Sequence, residues 1–279
     1  MCEPAAAAAP VHTPGETKRL HVLAHHLGQH HRLPVSAARA RKRPALRATT
    51  CDSCSGSGSS SEPGPAAASV EGRPIRSWIY GTEATHTTLI LGGIHGNEPA
   101  GPTLCDAMRD FLDRNPGVVE GRRVVVAPAL NPDGLAANTR ENARGVDLNR
   151  NFDTINREAS DRFGSSPLSE PESRFVAQLI AQFAPAVIVS VHQPLACVDY
   201  DGPAAALAAA MARECGLPVE KLVDSKPYPG SLGSHAGVDR GIPIVTLELP
   251  SSDVMISAWD KESLWDQYGG AMLEAVRMG

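Results

Sequence analysis

From Gly72 onward, two periodicities alternate along the chain: short, nearly continuous apolar runs, and longer segments with an apolar residue every three or four positions. The runs predict strands at Arg76–Tyr80, Thr87–Leu91, Arg123–Ala127, Ala186–His192 and Pro243–Leu249. Glu98–Arg114 is predicted to be a helix, because Leu104, Met108, Phe111 and Leu112 fall at i, i+4, i+7 and i+8. The stretch SEPESRFVAQLIAQF predicts another, with Ser169 as N-cap, Pro171 in the first turn and a stripe of Val176, Leu179, Ile180 and Phe183. An Ala-rich helix over Pro203–Cys215 and an amphipathic one over Lys261–Met278 complete the series.

Strands without polar alternation must be covered on both sides, so the pattern predicts an α/β fold. The expected architecture is a mostly parallel mixed sheet with helices on both faces, forming a single catalytic domain. In such sheets ligands sit beyond the carboxyl ends of the strands. His95, Asn131, His192 and Glu248 each lie at or just after the end of an apolar run. The polar stretch Asn131–Pro167 has no periodicity, and a loop of that length inside a compact domain is usually functional.

Residues 1–69 have neither period. AAAAAP, HHLGQHH, ARARKRPALRA and CDSCSGSGSSSEPGPAAAS bury too little apolar area to offset the entropy of ordering, which predicts a disordered tail and linker before a domain at 70–279. Residues 17–50 contain Arg and no acid, as transit peptides do, although such peptides usually start at Met1. The alanine run is too short for a secretory signal and follows Glu3. Cys51 and Cys54 form a CxxC without the second pair a zinc ribbon needs, and the tail's six histidines are unevenly spaced.

Charge divides the chain at the same place. Residues 1–50 sum to +6 and the remainder to −11, within a whole-chain charge of −5. An acidic body argues against a nucleic-acid surface. No run of about 18 apolar residues crosses a membrane. Six cysteines without regular spacing argue against a disulfide scaffold and for a reducing, cytoplasmic compartment. No feature sets an oligomeric state.

The chemistry must come from the few histidines of the body: His86, His95, His192 and His235. In LILGGIHGNEPAG, His95 and Glu98 stand across one turn after a strand, so an imidazole and a carboxylate can face one point. Catalytic zinc commonly takes three protein ligands, two His and one Glu being a known set, and strand-terminal His192 is the natural third. Taken singly, each of these residues also suits a hydrogen-bonded turn. His86 and His235 receive no role.

The neighbours add specificity. HGNE, NPDG (Asn131–Gly134), RGVDLNRNF (Arg144–Phe152), strand-terminal SVH and strand-terminal TLELP occur in an order that resembles the zinc carboxypeptidase family. SVHQPLACV (residues 190–198) and PGSLGS (residues 229–234) are most similar to its murein peptide amidase branch, and the resemblance runs from about Gly72 to the C-terminus.

Position by position, the resemblance implies a Zn2+ ion on His95, Glu98 and His192, with Glu248 as general base. It puts Arg140 at the scissile carbonyl and Asn149 and Arg150 on a substrate carboxylate. Tyr228 matches a substrate-side tyrosine of digestive carboxypeptidases, at a shorter spacing to the following Gly and Ser. Where the amidase branch carries an acid, this chain has Gln193, which bears on the substrate. The loop ACVDYDG, with Asp199 and Asp201, could meet a cationic amine.

The implied activity is hydrolysis of the γ-D-glutamyl–diaminopimelate amide of a small murein peptide, in peptidoglycan recycling. Removal of C-terminal residues by a general metallocarboxypeptidase is an alternative, as is N-acyl amino acid deacylation of the succinylglutamate desuccinylase type. A binding module without catalysis is a third, and it should have lost a ligand or the base.

Overall fold

The computed structural model describes residues 61–82, 86–222, 228–251 and 260–279. The CxxC and the tail histidines lie outside the described residues. Among those described, seven strands form one sheet: β1 (Ser61–Ala68), β2 (Pro74–Tyr80), β3 (Thr87–Gly92), β4 (Arg123–Ala127), β5 (Val187–His192), β6 (Leu195–Asp201) and β7 (Ile244–Pro250), in the order β1-β2-β4-β3-β5-β7-β6. The central four, β4-β3-β5-β7, are parallel, and the flanking β1, β2 and β6 are antiparallel to their neighbours.

Five helices accompany them: α1 (Ala100–Arg114), α2 (Pro132–Ala137), α3 (Pro171–Phe183), α4 (Ala205–Cys215) and α5 (Lys261–Met278). Strand alternation explains why the central strands are mostly apolar. Ile90, Val126, Val189 and Val245 pack with α1, α4 and α5, whereas Leu89, Leu91, Val125, Ile188 and Ile244 pack with α3 and the loops beside it. Each fully buried leucine or valine contributes about 1.5–3 kcal/mol. A strand that must satisfy both layers has few polar positions to spare, and in β5 and β7 the ionisable ones, His192 and Glu248, fall towards the carboxyl end. The α/β architecture with a parallel centre is the one expected.

Four local readings need correction. The expected tail gives up its last residues to β1, whose sequence SEPGPAAA carries no strand signal because an edge strand takes its order from β2; Pro63 and Pro65 fall at a register shift, where a missing N–H is tolerated. The expected loop ACVDYDG is mostly strand β6. The polar stretch after Asn131 includes α2, capped by Asn131 Oδ1, which accepts from Gly134 N at 2.9 Å. Glu170 rather than Ser169 stands at the N-cap of α3, because the Ser169 hydroxyl donates to Glu170 Oε1 at 2.8 Å instead.

Candidate metal centre and active-site cavity

The carboxyl ends of the parallel strands deliver the expected residues to one place. β5 and β7 run in register, with His192 opposite Glu248, and both side chains fall on the face that carries α3. The chain leaving β3 turns through His95 and Glu98 into α1, with Glu98 N donating to His95 O at 3.3 Å. That turn lies against α2: a Cβ on Gly96 would sit 1.9 Å from the Gly134 carbonyl carbon, so a side chain at Gly96 would force the two backbones apart.

His95 Nδ1 lies 2.8 Å from Glu98 Oε1, and His192 Nδ1 lies 2.9 Å from Glu98 Oε2. The two rings meet edge-on with centroids 4.9 Å apart. One donor atom from each of the three residues falls within 4.8 Å of the other two, and all three residues are buried. Although burial pushes Glu98 up, the neighbouring His192 charge and the hydrogen bonds of both histidines hold its carboxyl down to about 2. Two imidazole nitrogens and a carboxylate are a donor set zinc accepts. The second nitrogen of His95 faces Asp147 Oδ1 at 3.2 Å, which fixes the ring as metal-bound histidines are usually fixed. The donor set and its support therefore fit a zinc ion.

Asp147 went unremarked in the sequence, hidden within DLNR. It ties together three groups, since its Oδ2 also accepts from Arg140 Nε at 3.0 Å and its Oδ1 from the Asn149 N–H at 3.0 Å. Burial pushes its carboxyl up, but His95 and then Arg140 hold it well below the usual carboxylate range. Arg140 also reaches Glu98 Oε1 at 3.5 Å.

Glu248 has a different environment. It is 7% exposed, and among the described residues its carboxylate takes only a long hydrogen bond, from Leu195 N at 3.5 Å. Burial raises its pKa, opposed by the His192 charge and reinforced by that of Glu98. A nearly free carboxyl with a raised pKa suits proton transfer near neutral pH.

These residues open onto a cavity of about 250 Å³ also lined by Asn149, Arg150, Asp199, Asp201, Tyr228 and Thr246. The Arg150 guanidinium stacks over the Tyr228 ring at 4.6 Å. Burial lowers its pKa, and it pairs with no carboxylate among the described residues. Asn149 Oδ1 accepts from Leu232 N at 2.8 Å, so this side chain also anchors the PGSLGS segment. Every residue singled out from the sequence as ligand, base or substrate contact thus borders one cavity. Gln193 is there as well, but its Oε1 accepts from Ala100 N at 3.0 Å and its Nε2 donates to Pro250 O at 3.1 Å. Its amide holds the entry of α1 to the end of β7, a structural task that weakens it as a guide to substrate.

Residues 61–200 match the profile of a family described as zinc carboxypeptidase. Murein peptide amidase A of Escherichia coli strain K12 is 35% identical over 206 residues, covering 66% of this chain and 81% of that protein. Among solved structures, the murein-tripeptide amidase of Escherichia coli O157 is similar with a TM-score of 0.58 and 29% identity, over 77% of this chain and 91% of that one. Carboxypeptidase A of Helicoverpa armigera shares the fold at a TM-score of 0.66 and 17% identity, over 78% of this chain and 69% of that one.

Proposed function

The chain belongs to the zinc carboxypeptidase family and is a metallopeptidase, and we propose that it hydrolyses the γ-D-glutamyl–diaminopimelate amide of small murein peptides. The observation that carries the mechanism is the convergence of His95, Glu98 and His192 beside a nearly free Glu248 in one cavity. The substrate follows from the 35% identity to a murein peptide amidase.

In this reading His95, Glu98 and His192 hold the zinc. When bound there, the ion acidifies water towards neutral pH and polarises the scissile carbonyl. Glu248 takes the proton from the attacking water at its free carboxylate oxygen and returns it to the leaving nitrogen. Arg140, held by Asp147, supplies positive charge to the oxygen of the carbonyl under attack. Arg150 and Asn149 seat a substrate carboxylate, for which the planar guanidinium fork is suited. Tyr228, stacked on Arg150, forms that part of the cavity wall.

Among the described residues, the sheet that carries the site begins with β1 at Ser61. No helix among the described residues is long and apolar enough to cross a membrane. A cytoplasmic setting agrees with the free thiols of Cys105, Cys197 and Cys215, and cell fractionation tests it.

The test is incubation of the full chain with L-Ala-γ-D-Glu-meso-diaminopimelate and with plain peptides, read by mass spectrometry. Release of free diaminopimelate is expected. Cleavage of plain peptides alone would make the protein a general carboxypeptidase, and cleavage of succinylated amino acids alone a deacylase.

A further inference from the structure

The cavity holds charge that the chemistry described above does not use. β6 and β7 pair antiparallel, with Cys197 opposite Glu248 and Asp199 opposite Thr246. Asp199 therefore lies on the same sheet face as Glu248 and one side-chain row further along, about 7 Å at the usual rise per strand residue. Asp199 and Asp201 both line the cavity, but their partners differ. Asp201 is paired with Lys221 at 3.2 Å. Asp199 is 8% exposed, and only backbone N–H groups answer it among the described residues: Leu222 N donates to Oδ1 at 3.3 Å and the Tyr200 backbone adds a second hydrogen bond. No cationic side chain among those residues pairs with it. Burial accordingly pushes its carboxyl up.

A buried carboxylate without a cation is costly unless a cation arrives with the ligand. Arg150 presents the complementary case on the same cavity: a half-buried guanidinium that makes no ion pair among the described residues, with Asp147 acting on it only from beyond contact distance. The two charges, neither in a direct ion pair among the described residues, describe a bound residue with a carboxylate at one end and an ammonium at the other. With the scissile nitrogen beside Glu248, a lysine-length side chain spans the row to Asp199.

We propose that Asp199 is the specificity residue of this cavity, accepting the side-chain ammonium of the residue on the leaving side of the scissile amide, so that the protein selects substrates with a cationic side chain there. The proposal rests on the zinc peptidase reading above and adds the group that chooses among its substrates.

The test compares kcat/KM of the full-length zinc-loaded protein on L-Ala-γ-D-Glu coupled to meso-diaminopimelate, to L-lysine and to L-norleucine, which is close to lysine in length but lacks the ammonium. A charge-assisted hydrogen bond in a buried site predicts that both cationic substrates exceed norleucine by roughly ten- to a hundredfold. In Asp199→Asn, which keeps the acceptor for Leu222 N, that ratio should fall to within about threefold while zinc content stays unchanged. Equal rates on all three substrates in the unmodified protein would overturn the proposal, as would lysine as poor as norleucine. Failure to cleave any of them would instead remove the zinc peptidase reading, and the unmodified protein decides between these cases even if the variant does not fold.

Discussion

Among the described residues, two clusters of buried acids stand out, and of the two only one has the makings of a metal centre. Glu98 and Asp147 face two imidazoles and a guanidinium, and both carboxyls are held low. Glu170 and Glu172 are as deeply buried but meet mainly neutral donors: Asn142 Nδ2 donates to both, at 2.8 and 3.2 Å, the Ser169 hydroxyl to Glu170, and Val70 N to Glu172. Among the described residues the one charged partner is Arg144, largely exposed, at 3.3 Å from Glu170. Burial raises the pKa of Glu172, and neither acid borders the active-site cavity. Burial of a carboxylate is therefore not the mark of a site. What distinguishes the first cluster is that its donors converge on one point and open to a space where a substrate fits.

Substitutions should separate the clusters by what they change. His192→Ala removes a ligand and should abolish both zinc binding and turnover, as checked by elemental analysis and a diaminopimelate release assay. Glu248→Gln should lower kcat by roughly 10²–10⁴-fold, the usual worth of a general base, while zinc stays near one per chain. Loss of metal in that variant would show that Glu248 is a ligand. Asp147→Asn should weaken zinc affinity by about 10–100-fold in a chelator competition, since it acts through the His95 ring.

The smallest effect belongs to the second cluster. Because the folded-state pKa of Glu172 is raised, the native protein binds its proton more tightly than the unfolded chain does. The resulting destabilisation is present at neutral pH and fades as pH falls through the folded value towards about 4.3. Glu172→Gln should therefore leave kcat unchanged, leave stability at pH 7 within about 1 kcal/mol or improve it, and flatten its pH dependence in denaturant titrations. A large drop in turnover would erase the distinction between the clusters.

The legible parts of the sequence are those that one physical demand controls. β3, β4, β5 and β7 announced themselves because both faces are buried, and α1, α3 and α5 because one stripe is. β5 and β7 each carry a polar residue at or near the carboxyl end of an apolar run, which is why His192 and Glu248 were readable as site residues before any geometry. β1 and β6 were hidden for opposite reasons. β1 is ordered by the backbone of β2 rather than by its own side chains. β6 places Asp199 and Asp201 on the cavity side, so the residues that line the cavity gave it the composition of a loop. Asp147 was unreadable because its role depends on His95, 52 positions away, and nothing local marks it.

The central claim is that His95, Glu98 and His192 form one zinc site, and metal stoichiometry tests it most directly. Full-length protein, stripped with chelator and reloaded, should bind about one zinc per chain by elemental analysis. His95→Ala, Glu98→Ala and His192→Ala should each fall well below that under the same conditions while Glu248→Ala stays near one. Undiminished zinc in the three ligand variants, or none in the unmodified protein, would contradict the account.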